Sequence, residues 1–244
     1  MKVKARGKAR ASSKKRLKMT LASFWGKFAT SYTTSPLRRH IALDILLTIR
    51  YITGMEQDTR EVILITALEL FSKQGFETVG VQEIADKAGL AKPSLYYYFK
   101  SKRGLLEAIV AERGAELCVV VKRAAEYRRD LVMNLTSLFN ETMNFARRDT
   151  AFFRLAHSLF SSAPETASYA AGNPLRRELV SMLRDLFIQA ATDHGNMKER
   201  EWVYAETFFG LLDTWAILLI NGEVELDNQL RYRIIHNYLH GIFS

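Results

Sequence analysis

The stretch from Val81 to Phe99 constrains this chain more than any other. Val81, Ile84, Ala85 and Ala88 recur at i, i+3, i+4 and i+7, which lays one apolar stripe along a short helix. Gly89 follows where a helix needs a left-handed residue to stop. Leu95 and Phe99, four apart, mark the inner face of a second short helix. Between them stand Tyr96, Tyr97 and Tyr98, and three adjacent residues on a helix cannot all face inward. Some aromatic rings must therefore point outward from a helix too short to bury much, so the pair has to pack on a neighbouring element.

Two short helices about a glycine turn form a helix-turn-helix, whose second helix is offered to the major groove of DNA. With Leu95 and Phe99 inward, the outer face carries Lys92, Pro93, Ser94, Tyr97 and Tyr98. A net charge of +9 invites the same reading, but its location decides the matter. Residues 1–54 hold 13 of the 35 basic side chains and one of the 26 acidic ones, leaving 22 against 25 for the remainder. The part of the chain expected to fold is thus slightly acidic, and its DNA affinity must come from specific contacts.

Residues 1–18 are rich in Lys, Arg, Ala and Ser and lack large apolar groups, which predicts disorder. The apolar run Ile41–Leu47 is short and interrupted by Asp44, so it does not span a bilayer. No small-residue cleavage site follows it, which argues against a secretory signal. The extension 1–55 reads as a basic arm, as a targeting peptide, or as no part of the working protein. The last is the expectation, with translation starting at Met55.

From Asp58 onward the pattern is helical to the end. Asp58 and Glu61 form a capping-box-like start to a helix carrying Ile63, Ala67, Leu70 and Phe71, and Gly75 ends it. Ser101 caps a long helix from Lys102 to about Tyr127. Further helices are expected over 130–147, 149–161, from Asn173-Pro174 to about His194, over 198–221 and over 227–241. Pro164–Gly172 reads as a loop or broken helix. No strand-like alternation, internal repeat or Gly-rich phosphate loop occurs, so the fold class is all-α, with about nine helices. The expected division is 56–103 for a three-helix head and 104–244 for a larger body.

The residues of the head resemble the tetracycline-repressor (TetR) family of transcription regulators. The resemblance rests on Thr59-Arg60-Glu61-x-Ile63, Ala67-x-x-Leu70-Phe71-x-x-x-Gly75-Phe76, Ile84-Ala85-x-x-Ala88-Gly89, Leu95-Tyr96-x-x-Phe99 and Lys102-x-x-Leu105-Leu106. It covers residues 57–110, and the body matches only in helix rhythm. It implies an all-α homodimer, a head that binds a palindromic operator in double-stranded DNA, and a body that binds a small-molecule inducer. Matched to the family pattern, Lys92, Ser94 and Tyr98 are candidates for base edges or adjoining phosphates. Pro93 offers an apolar contact to a thymine methyl. Tyr96, Tyr97, Lys102, Thr59 and Arg60 are candidates for phosphates. Two N-cap positions that carry hydroxyls in the family hold Gly80 and Ala91 here, and Ala at such a site costs about 0.5–2 kcal/mol. Thr78 is expected to take over part of that role.

In the body, the helix over 198–221 is apolar almost all round, so it must be covered on several sides. Phe208, Leu212, Trp215 and Leu219, with Ile234, Ile235 and Tyr238 of the last helix, are expected to form an isologous dimer interface. Phe139, Met143, Phe152, Phe153, Phe160, Tyr169, Trp202, Glu206 and Phe209 are candidate ligand-pocket residues. Glu206 and Asp213, seven apart on an apolar helix, are expected to be solvated or paired with Arg177 or Arg184. The sharper alternative is that they meet a cationic or hydroxylated ligand.

Cys118 reads as a small core residue. His236 and His240 are spaced like a metal pair but lack a third ligand, so no metal or other cofactor is expected. No nucleophile–base constellation is present, which argues against an enzyme. A ligand-responsive repressor, cytoplasmic and without a membrane partner, is the expected function. A constitutive architectural or activating DNA-binding protein is the alternative.

Overall fold

The computed structural model describes residues 58–241, so the expectations for residues 1–55 lie outside the described residues. Helix α1 covers residues 58–74. It is followed by α2 (Val81–Lys87), α3 (Lys92–Phe99) and α4 (Lys102–Ala124). The chain continues through α5 (Leu131–Arg148), α6 (Thr150–Phe160) and α7 (Ala167–Ala190). A single 3-10 turn, Gly195–Met197, then leads to α8 (Glu201–Ile220) and α9 (Asn228–His240). There is no strand among the described residues, and the fold is all-α.

Local signals set most of these boundaries. Gly75 ends α1 with φ +85° and Gly89 ends the turn after α2 with φ +67°, both in the left-handed region that favours glycine. Ser101 caps α4 by accepting a hydrogen bond from the Gly104 N–H at 2.9 Å. Asp130, Asp149 and Asp227 cap α5, α6 and α9 in the same way. Buried Asn134 closes the α4–α5 turn by donating to the carbonyls of Ala124 and Glu126 and accepting from the Arg128 N–H.

One boundary differs from expectation. The segment 167–172 is helical, and Asn173-Pro174 lies inside α7 rather than at its start. The true cap is Thr166, whose hydroxyl accepts from the Tyr169 N–H at 3.1 Å. Pro174 breaks one backbone bond, but the segment is kept helical by packing. Gly172 lets α7 approach α6 so closely that a Cβ there would lie 2.5 Å from the Leu159 Cβ. Tertiary contact outweighs the local proline signal.

Helices α1, α2 and α3 bury Ile63, Leu64, Phe71, Ile84, Leu95 and Phe99 against the start of α4, where Leu105, Leu106 and Ile109 lie. The same core continues into the body through Leu117 and Val121 of α4 and the inner faces of α5 to α9. Cys118 belongs to it, and burial pushes its thiol pKa up to about 11.

By length and composition α8 is apolar enough to cross a membrane, with a mean hydropathy of 1.5. In the fold one side of it packs into the core, and two of its three acids, Glu206 and Asp213, have partners in the body. Glu206 pairs with Arg176 at 2.5 Å, not with Arg177 or Arg184, and Asp213 pairs with His157 at 2.7 Å. Arg154 donates to the carbonyl of Ile220 at 3.0 Å, closing the C-terminal end of α8.

Most of the residues expected at a dimer face are covered within this chain. Phe208, Leu212, Leu219, Ile234 and Ile235 are buried inside their own chain. Trp215 and Tyr238 also pack against this core, and the Tyr238 hydroxyl donates to the Tyr204 carbonyl at 2.8 Å. The outer side of α8 is a different stripe, with Val203, Thr207, Gly210 and Thr214 exposed and Leu211 and Leu218 half-buried.

Candidate functional site

Helix α3 is held by its inner residues and displays its outer ones. Leu95 is 1% exposed and Phe99 6%, while Tyr96 is 43% and Tyr97 71% exposed. Lys92 and Pro93 are exposed, Ser94 is half-buried, and Tyr98 packs partly against the core with its ring edge-on to Tyr97 at 4.9 Å. The N-cap positions Gly80 and Ala91 give no side-chain cap, so the first N–H groups of α2 and α3 have no side-chain acceptor. Thr78 is exposed in the turn before α2.

Where α3 meets α4 the backbones nearly touch. A Cβ on Gly104 would lie 2.2 Å from the Phe99 carbonyl oxygen, so only glycine allows this approach. The end of the displayed helix is thereby set by the start of the long one.

Two expected phosphate anchors are occupied within the chain. The Lys102 ammonium donates to three backbone carbonyls, those of Phe76 at 2.8 Å, Val79 at 3.1 Å and Glu77 at 3.2 Å. It also lies over the Phe76 ring, 4.3 Å from the centroid. An ammonium has three N–H donors, and all three have acceptors here. Lys102 therefore clamps the turn that leads into α2. Arg60 pairs with Glu112 of α4 and lies over the Phe99 ring at 5.3 Å. The Glu112 carboxylate holds its guanidinium above the ordinary value. Arg60 fastens α1 to α4 rather than standing free for phosphate.

A lysine missed in the sequence takes an unusual position. Lys100 follows α3 with φ +65°, a left-handed conformation costly for a side-chain-bearing residue, and its N–H closes the helix on the Tyr96 carbonyl. Like Lys92 it is exposed and makes no ion pair among the described residues. Its place directly after the buried Phe99 was the available signal.

The body holds an apolar cavity between α4, α5, α6, α7 and α8. Leu117, Val121, Phe153, Phe160, Leu179 and Leu183 line it, with Ala156, Phe209, Leu212, Thr142 and Asp213 completing the wall. Its free volume is about 30 Å³, room for one or two water molecules. Of the candidate pocket residues, Phe153, Phe160 and Phe209 line this space. Phe139, Met143 and Phe152 do not; they are fully buried packing residues. Tyr169 is half-buried and away from the cavity, and Trp202 is 61% exposed. Glu206 sits beside the wall, where its partner Arg176 lies over the Phe209 ring at 5.0 Å.

A helix-turn-helix displayed by the start of a long helix, with an apolar cavity behind it, is an arrangement suited to a helical DNA-binding regulator. Residues 63–109 match the bacterial regulatory proteins of the tetR family. Over these residues the chain is similar to the TetR family of transcriptional regulators. It is 33% identical over 98 residues to the transcriptional activator FasR of Mycolicibacterium smegmatis, covering 40% of this chain and 45% of that protein. It is 40% identical over 55 residues to the class C tetracycline repressor of Escherichia coli, covering 22% of this chain and 25% of the repressor. The matched segments thus span less than half of either relative. Among solved structures, FadR of Bacillus subtilis in complex with stearoyl-CoA aligns over 75% of this chain and 98% of that one, at TM-score 0.62 and 18% identity. At that identity the likeness is one of fold.

Proposed function

We propose that this protein is a ligand-responsive repressor that binds a palindromic operator as a homodimer and is released by a small-molecule inducer. Residues 56–103 would bind DNA, and residues 104–244 would bind ligand and dimerise. The observation that carries the reading is α3, pinned by Leu95 and Phe99 with Lys92, Pro93 and Tyr97 turned outward. Lys92, Ser94 and Tyr98 meet base edges or the phosphates beside them, Pro93 a thymine methyl, and Tyr96, Tyr97, Thr59 and Thr78 the backbone. Lys100 takes the phosphate role first assigned to Lys102.

The coupling runs through two helices that touch both ends. Helix α4 lines the cavity with Leu117 and Val121 and clamps the head with Lys102. Helix α7 lines it with Leu179 and Leu183, and its Ser168 donates to the Glu77 carboxylate in the clamped turn at 3.1 Å. A ligand that enlarges so small a cavity must shift one or both, and the spacing of two recognition helices then no longer fits successive grooves. The dimer forms through the outer stripe of α8. The protein works in the cytoplasm.

FasR is named an activator, so the sign of regulation is the point a test must settle. A footprint of the purified protein on DNA flanking its own gene tests the reading. A protected palindrome that is lost when one compound is added supports it. Protection spread evenly over all sequences would instead support the architectural alternative.

A further inference from the structure

Two buried oxygens in the wall of the body cavity have no hydrogen-bonding partner, the Thr142 Oγ1 and the Asp213 Oδ1. Buried polar atoms are almost always paired, so two orphans on one apolar space mark a vacancy in the hydrogen bonding of that space. The threonine is unusual even within this protein. Thr136, Thr150 and Thr207 each donate to the carbonyl four residues earlier, at 2.7, 3.1 and 2.8 Å. Thr142 is 5% exposed and does not make that bond. The aspartate is fixed from its other side, because His157 Nδ1 donates to Oδ2 at 2.7 Å and orients the carboxylate.

We propose that the inducer is an apolar molecule bearing a hydroxyl group, which donates to Asp213 and accepts from Thr142. This inference rests on the ligand-responsive reading above and deepens it. The rest of the wall is hydrocarbon, from Leu117 and Val121 through Phe153 and Phe160 to Leu212, so the skeleton must be apolar. The two orphans ask for one donor and one acceptor, and a hydroxyl supplies both on a single atom. A methyl terminus leaves both unpaired. A carboxylate or phosphate brings a negative charge against Asp213. An ammonium serves the carboxylate but has no lone pair to accept the threonine hydroxyl proton. The free volume of about 30 Å³ is room for water, one or two molecules. The inducer widens the cavity.

The test compares one alkyl chain with four ends, namely decanol, decylammonium, decanoate and decane, on the full-length protein by calorimetry and by release of bound operator. Decanol should bind about tenfold tighter than decane or more, because a site that bonds a hydroxyl rejects the analogue lacking it. Thr142→Val keeps the side-chain shape and should bring decanol down to the level of decane. Equal binding of decanol and decane, preference for decanoate or decylammonium, or unchanged decanol binding in Thr142→Val would each overturn the inference. Operator release by a total lipid extract separates the two readings. Release by the extract without any decanol preference removes the hydroxyl assignment alone, whereas no release by extract or probes removes both.

Discussion

Replacing Lys102 by methionine keeps the side-chain stem and removes the charge and its three hydrogen bonds. Those bonds join the start of α4 to the carbonyls of Phe76, Glu77 and Val79 at 2.8–3.2 Å, two of them in partly buried surroundings. A net hydrogen bond is worth about 0.5–1.5 kcal/mol and one to a charged group about 1.5–3 kcal/mol. The exposed Glu77 carbonyl regains water, so the loss comes mainly from the other two and amounts to about 3 kcal/mol. For a chain of this size each kcal/mol moves Tm by about 2–4 °C, which makes the expected fall about 6–12 °C. Thermal unfolding followed by circular dichroism, without DNA, measures it. DNA binding should weaken as the head loosens, but the dependence of log K on log salt should keep its slope. A phosphate contact makes the opposite demand, an unchanged Tm and a slope shallower by about 0.9 per contact removed. That second pattern would refute the clamp.

Gly210→Arg tests the outer stripe of α8. A side chain at Gly210 meets nothing within 4 Å inside the chain, so the fold should tolerate it. Sedimentation at micromolar concentration should then show a monomer where the parent protein is dimeric, and an unchanged dimer places the interface elsewhere. Cys118 gives a pH prediction. Burial raises its thiol pKa from 9.0 to about 11, so the folded state holds the proton more tightly than the unfolded one. Its contribution is full below pH 9 and is lost as pH rises towards about 11, and Cys118→Ala should flatten that fall in urea unfolding measured across the same window. The native thiol should also resist alkylation at neutral pH until the protein is unfolded.

The parts of this fold legible in the sequence are those fixed by short-range chemistry. Gly75 and Gly89 need left-handed φ, Ser101 caps, and Leu95 with Phe99 face inward, all from spacing and residue type alone. The misread parts are those decided by distant neighbours. Asn173-Pro174 looks like a helix start until Gly172 is seen packed on Leu159, with Thr166 as the cap. Helix α8 is apolar all round, so its pattern says that it is covered but not which side faces its own body. Phe208 and Leu212 took the inside, and the small and polar residues Gly210 and Thr214 the outside. Position along the chain likewise placed Lys102 and Arg60 in the head without revealing that carbonyls and Glu112 already hold them. The orphaned oxygens of Thr142 and Asp213 belong to different helices, α5 and α8, and only the packed body brings them to one cavity.

The central claim is that the outer face of α3 reads DNA sequence in a dimer. Selection of bound duplexes from a random pool tests it most directly, run in parallel on the parent protein and on Lys92→Ala. The account predicts an inverted repeat with half-sites about one helical turn apart. The variant should enrich a repeat changed at one position in each half, with a loss of about 1–3 kcal/mol on the parent operator. Enrichment of no common sequence, or of the same sequence by both proteins with equal affinity, would contradict it.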